Sequence, residues 1–176
     1  MDVTLCAKVL GSGLVLGAGA LAGYTAAKAT EERLKELERL EICLINLSTE
    51  ISYFLSPLPK ALVKAGQKSG GEAGRLFVEM GNLVGMGRRK TPDEALEEAL
   101  VSIREDSIPR FGLETLRDLA KNLGGTGHRE QIRYIEGSIE RLKDHRRLFE
   151  EESRKKARLY RYLGLLGALS AVIVLI

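Results

Sequence analysis

The chain has no tryptophan, only two histidines and two cysteines, and four prolines among 176 residues. These scarcities exclude whole classes of chemistry. Cys6 lies in an apolar run and Cys43 in a helical pattern, so neither a disulfide framework nor a metal-ligand spacing can be assembled from them. His128 and His145 are 17 positions apart, and neither has a cysteine or second histidine nearby to complete a metal pair. No Gly-Lys-Ser/Thr follows any glycine group, which removes the phosphate-cradling loop. Serines and threonines fall at caps or within apolar faces, without a base partner that would make a nucleophile. No stretch alternates as a strand between hairpin turns. The expectation is an all-α, non-enzymatic protein with no cofactor, no metal, no nucleic-acid partner and no small-molecule substrate.

The net charge of +3 misleads until it is located. Arg154, Lys155, Lys156, Arg158 and Arg161 form one basic collar, interleaved with Tyr160 and Tyr162. Without those five, 22 Lys and Arg face 24 Asp and Glu, a net of −2. After the collar, Leu163 to Ile176 carries no charge. Tyrosine mixed with Lys and Arg beside an apolar run is the pattern of a cytoplasmic membrane interface. The collar therefore reads as an anchor.

The polar half of the last helix, from Thr126 to Ser153, carries Ile132, Ile135, Ile139, Leu142 and Phe149 at spacings of 3, 4, 3 and 7. That rhythm places one apolar stripe on a helix. No proline interrupts the chain from Thr126 to its end, so one helix is expected to leave a bundle and enter a bilayer.

At the other end, Val9 to Ala27 is free of charge for 19 residues, about 28 Å of helix and enough for a bilayer core. Gly13 and Gly17, and Gly19 and Gly23, have the four-residue spacing at which membrane helices approach closely. Ordinary tolerance of glycine in such helices accounts for them equally well. Ala18-Gly19-Ala20 has the form of a leader-cleavage site, but Lys28, Arg33 and Lys35 follow the run while Lys8 stands alone before it. Charge on that side holds the following region in the cytoplasm. Tyr24 marks the same interface as Tyr160 and Tyr162. The expected layout is a transmembrane helix at 9–27, a cytoplasmic bundle at 28–158 and a short transmembrane helix at 159–176.

Between these ends, Leu34, Leu37, Leu40, Leu44, Leu47, Ile51 and Phe54 form a seam at helical spacing, with Glu31, Glu32, Glu36, Glu38 and Glu41 covering the solvated faces. Ser56-Pro57-Leu58-Pro59 ends that helix, with Ser56 expected to cap the next and Pro57 to open it. A short helix to Lys68 stops at Gly70-Gly71. Glu72 to Met86 follows, with Leu76, Phe77, Met80, Leu83 and Val84 on one face. Gly87-Arg88-Arg89-Lys90 reads as a surface loop, whether solvated or facing headgroups or an acidic partner. Thr91-Pro92-Asp93-Glu94 is a capping box opening a helix to about Asp106. Ser107-Ile108-Pro109 opens another, with Phe111, Leu113, Leu116, Leu119, Ala120 and Leu123 inward, which Gly124-Gly125 closes. The short connections favour an antiparallel bundle of five to six helices.

Taken in this order, the chain resembles the stage III sporulation protein AB family. The resemblance rests on the small-residue helix with Gly23-Tyr24 and Glu32-Arg33, on Leu40-Glu41, and on Glu50-Ile51-Ser52-Tyr53. It continues through Pro57-Leu58-Pro59-Lys60-Ala61-Leu62, Leu76-Phe77, Thr91-Pro92 with Ala95, Leu123-Gly124 with Gln131, and the apolar tail. Gly127 departs from the family run, which has aspartate there. The resemblance implies an assembly in the mother-cell membrane around the forespore and a domain similar to the type II secretion inner-membrane platform protein. It also implies a secretion-type ATPase and other membrane components of the channel as partners, besides membrane lipid. The reading is a scaffold joining that ATPase to a transenvelope channel. The alternative is a membrane-bound sensor that signals through helix shifts.

Overall fold

The computed structural model describes residues 3–86, 90–104, 107–125 and 127–175, with side chains described for 24, 25, 27–152 and 155 within that set. Among the described residues every regular element is a helix: α1 Val3–Ser52, α2 Leu58–Ser69, α3 Gly71–Gly85, α4 Pro92–Leu100, α5 Arg110–Asn122 and α6 His128–Leu175. They divide into two compact units, one of Met1–Glu31 with Phe149–Ile176 and one of Glu32–Leu148. Among the described residues no helix is long and apolar enough to cross a membrane. The expected spans, 9–27 and 159–176, lie outside the residues whose side chains are described, apart from Tyr24, Thr25 and Ala27.

The Glu32–Leu148 unit is built on the seam of α1. Leu37, Leu40, Leu44, Leu47 and Ile51 are each at most 2% exposed, because a spacing of three and four keeps one stripe turned to the neighbouring helices. Full burial of each such side chain is worth about 1.5–3 kcal/mol. Around this stripe Leu62 of α2, Phe77 and Met80 of α3, Leu96 of α4 and Leu116 of α5 converge with Leu47. From α6, Ile135, Ile139 and Leu142 are buried as the spacing predicts.

α2 and α3 form an antiparallel hairpin whose backbones nearly touch. A Cβ on Gly66 would lie 2.4 Å from the Gly74 carbonyl oxygen, so only glycine permits that approach. At the turn, Gly70 and Gly71 adopt φ of +66° and +67°, in the left-handed region that glycine enters without steric cost. The carboxylates assigned to solvated faces divide differently. Glu36 is buried, and its Oε2 accepts the backbone N–H of Ala73 at 3.0 Å while Oε1 accepts Arg39 at 2.5 Å. The reason is local: Gly70, the N-cap of α3, has no side chain with which to satisfy the first amides. Glu41 is also largely covered, its carboxylate 3.3 Å from Arg146 of α6.

Two boundaries depart from expectation. Ser56 does not cap α2; its hydroxyl donates to Glu50 Oε2 at 3.1 Å, and Pro57 stands at the N-cap. α4 ends at Leu100, short of Asp106. There Arg104 N–H donates to Glu72 Oε2 at 3.1 Å and Arg75 donates to the Ser102 carbonyl at 3.3 Å, so side chains of α3 take the backbone groups that further helix would have used. α5 begins at Arg110 directly behind Pro109, where Ser107-Ile108-Pro109 is expected to open it. The Thr91–Glu94 capping box does form, with Thr91 N–H donating to Glu94 Oε2 at 3.1 Å. Arg117 of α5 donates through Nε and Nη2 to the two oxygens of Glu97 on α4, at 2.6 and 3.2 Å. Phe111 of α5 stacks on His145 of α6 with ring centres 5.0 Å apart.

A fragment of residues 32–148 is expected to show a helical far-UV spectrum and one cooperative melt. Leu44→Asp should abolish that melt, since an unpaired buried charge costs several kcal/mol against a total of about 5–15. Glu38→Ala, at a carboxylate 60% exposed and 3.9 Å from Arg146, should stay within about 0.5 kcal/mol of the parent. A normal melt for Leu44→Asp would place the seam on another face.

Candidate functional site

The membrane-interface residues read from the sequence fall in the unit of Met1–Glu31 and Phe149–Ile176. Tyr24 is 68% exposed, and Lys155 is also exposed. Arg154, Lys156, Arg158, Tyr160, Arg161 and Tyr162 lie on the backbone of α6, with side chains outside the described residues. The basic loop is likewise outside, at 87–89; Lys90, which follows it, pairs with Glu98.

In the Glu32–Leu148 unit, chemistry gathers at the far end of α1. Glu50 is buried on the last full turn. Lys64 and Lys68, one turn apart on α2, each place Nζ 2.9 Å from a different Glu50 oxygen, and Ser56 adds its hydroxyl. The lysine hydrogen bonds hold the Glu50 carboxyl at about 2, well below the usual carboxylate range. The chain then turns through Leu55 at φ 49°, a left-handed conformation uncommon for a branched side chain, and Ser56 N–H donates back to the Glu50 carbonyl at 3.0 Å. This turn leaves Tyr53, Phe54 and Leu55 at 84%, 63% and 71% exposure.

The spacing of three and four places Phe54 at the end of the α1 seam. Instead its ring lies under the two lysines, with Lys64 Nζ 5.7 Å and Lys68 Nζ 6.0 Å from its centre. A cation over an aromatic face is attractive, and α1 ends at Ser52, two residues before Phe54, so Phe54 leaves the helical seam. Lys64 also borders an open groove of about 410 Å³ between the start of α2 and the end of α3, with Pro59, Val63, Gly81 and Met86 among its walls. Neither the buried Glu50 nor the groove follows from the helical spacing. One signal was available: from Ile51 to Gly71 there is no acidic residue, while Lys60, Lys64 and Lys68 recur every four positions.

Other reactive groups are quiet. Burial pushes the Cys43 thiol up to about 11, so it stays protonated. Among the described residues no three His, Cys, Asp or Glu side chains gather as a metal site.

The profile of the family described as stage III sporulation protein AB matches residues 8–176. The chain belongs to that family. Membership points to a role in sporulation. Among solved structures, one titled "Stage III sporulation protein AB" is similar with a TM-score of 0.60 and 20% identity, over 70% of this chain and 97% of that one. At that identity the likeness concerns the fold, which the two share. No curated protein matched the sequence.

Glu50 has a depressed carboxyl, so its contribution to stability is complete above the unfolded value of about 4.3 and is lost as pH falls through about 2. Glu50→Gln should therefore flatten the melting temperature of the family member between about pH 4.5 and pH 2, and Lys64→Met with Lys68→Met should do the same. Acid unfolding unchanged by Glu50→Gln would move that dependence to another carboxylate.

Proposed function

We propose that this chain is a non-enzymatic, membrane-anchored scaffold that couples a cytosolic secretion-type ATPase to the channel components of a transenvelope assembly in the mother-cell membrane around the forespore. The observation that carries this reading is the division of the chain. The charge-free runs and the basic collar fall in one compact unit, and the helical bundle is the other. Membership of the sporulation family supports the setting. Each Lys or Arg near an anionic leaflet contributes about 1 kcal/mol, so the charges flanking the two apolar runs favour a bundle on the cytoplasmic side.

The sensor alternative has less support. A helix that signals by a one-turn slide exchanges all its contacts, and α1 carries Glu36 and Glu50, both buried and both bonded to the hairpin. A one-turn shift would strand two charges.

The C-terminal run supplies the most demanding test. Leu163 to Ile176 has 14 residues, about 21 Å against a hydrocarbon core of about 30 Å. Starting the span at Leu159 adds Arg161, which must snorkel to the headgroups. Arg161→Asp is expected to weaken membrane retention far more than Arg154→Asp. An added C-terminal cysteine should react with an impermeant reagent on intact protoplasts, and a reporter at Arg89 should be active only in its cytoplasmic form. A pull-down from sporulating cells should recover a hexameric ATPase. Recovery of a kinase or response regulator in its place would favour the sensor, and a cysteine labelled only after lysis would remove the second span.

A further inference from the structure

The groove between α2 and α3 is apolar at its walls and cationic at its rim. Pro59, Val63 and Met86 supply the walls, and Met86 is 69% exposed. Gly81 sets the depth: a Cβ there would meet the Pro59 carbonyl oxygen and Val63 Cγ2 at 2.8 Å, so the helices approach closely at the base. Lys60 and Lys64, one helical turn apart, stand at the edge. Lys64 already shares Glu50 with Lys68, which leaves three cations on the stripe against one carboxylate. Lys60 has no ion-pair partner among the described residues. The exposed Tyr53-Phe54-Leu55 turn continues the apolar surface past Lys64, through the ring beneath its ammonium group.

We propose that this groove is a docking site for an acidic, apolar segment of a partner protein, which seats an apolar side chain between α2 and α3 and sets carboxylates against Lys60 and Lys64. Charge complementarity selects the occupant, since a neutral apolar segment would leave the lysine edge unanswered and a basic one would be repelled. A lipid surface carries the same anionic chemistry, but the groove adjoins the Ser52 end of α1, about 30 Å along the helix from Glu32. Preferring protein over lipid on that ground rests on the membrane reading above. The surface itself does not.

The test uses the full chain in detergent and two fluorescein-labelled helical peptides, one of leucine and glutamate and one with every glutamate replaced by lysine. Gly85→Leu fills the groove from a position where a Cβ meets only Pro59 Cβ, at 3.4 Å, an ordinary contact. Lys60→Glu reverses the rim, and Lys60→Gln removes its charge alone. The acidic peptide is expected to bind about tenfold or more tightly than the basic one, and more weakly as salt rises. Gly85→Leu and Lys60→Glu should each weaken it about tenfold, with Lys60→Gln intermediate and all melts unchanged. Equal binding of the two peptides, or indifference to Gly85→Leu, overturns the proposal. Displacement of the peptide by short-chain phosphatidylglycerol, with lipid binding lost in Lys60→Glu, reassigns the site to a lipid headgroup. Self-association that disappears in Gly85→Leu reassigns it to a second copy. A chain that binds the acidic peptide but recovers no ATPase keeps the groove and loses the coupling reading; one that recovers the ATPase but ignores the peptide does the reverse.

Discussion

Two buried carboxylates on α1 hold the bundle to a single register. Glu36 completes the first turn of α3 by accepting the Ala73 amide, and Glu50 binds two lysines of α2. They are 14 residues apart on one helix, about 21 Å. Leucines alone would tolerate a shift of three or four positions, since the next leucine lies at the same spacing. The carboxylates do not, because a shift leaves each of them desolvated without its partner, at a cost of several kcal/mol. The apolar seam supplies the affinity between α1 and the hairpin, and the acids supply its alignment.

That division of labour explains what the sequence disclosed. Leucine spacing fixed which face of α1, α3, α5 and α6 turns inward, and Leu40, Phe77, Leu119 and Ile135 are buried where periodicity puts them. Proline and glycine placed the breaks to within a few residues. The departures lie where a side chain of another element took over a local duty. Glu36 stands in for a missing cap 37 positions away, Glu72 and Arg75 curtail α4, and Glu50 draws Ser56 from its own helix. Local rules assign a glutamate in a helix to solvent, and only the fold reveals which amide or ammonium group it meets.

The candidate groove was hidden for a related reason. Its walls come from both arms of the hairpin and its depth from a glycine, so no single segment carries its signature. The cationic rim was readable as a stretch of chain without acids. Phe54 shows why that reading stops short. At helical spacing it belongs to the seam, but α1 ends two residues before it and the ring lies under the lysines instead.

The placement of α1 and α6 at opposite ends of the chain also bears on the order in which the bundle forms during synthesis. Glu41 of α1 and Arg146 of α6 are 105 positions apart. At about 5–20 residues per second a ribosome needs roughly 5–20 s to cover that distance. For that time Glu41 has no Arg146 to meet it, and Leu37 and Leu40 wait for the Gly112 turn of α5 that lies against them, although α2 and α3 emerge soon after α1. The hairpin, locked by Gly66 against Gly74, is thus suited to act as a built-in guard for the nascent chain, covering part of the seam until the last helix arrives.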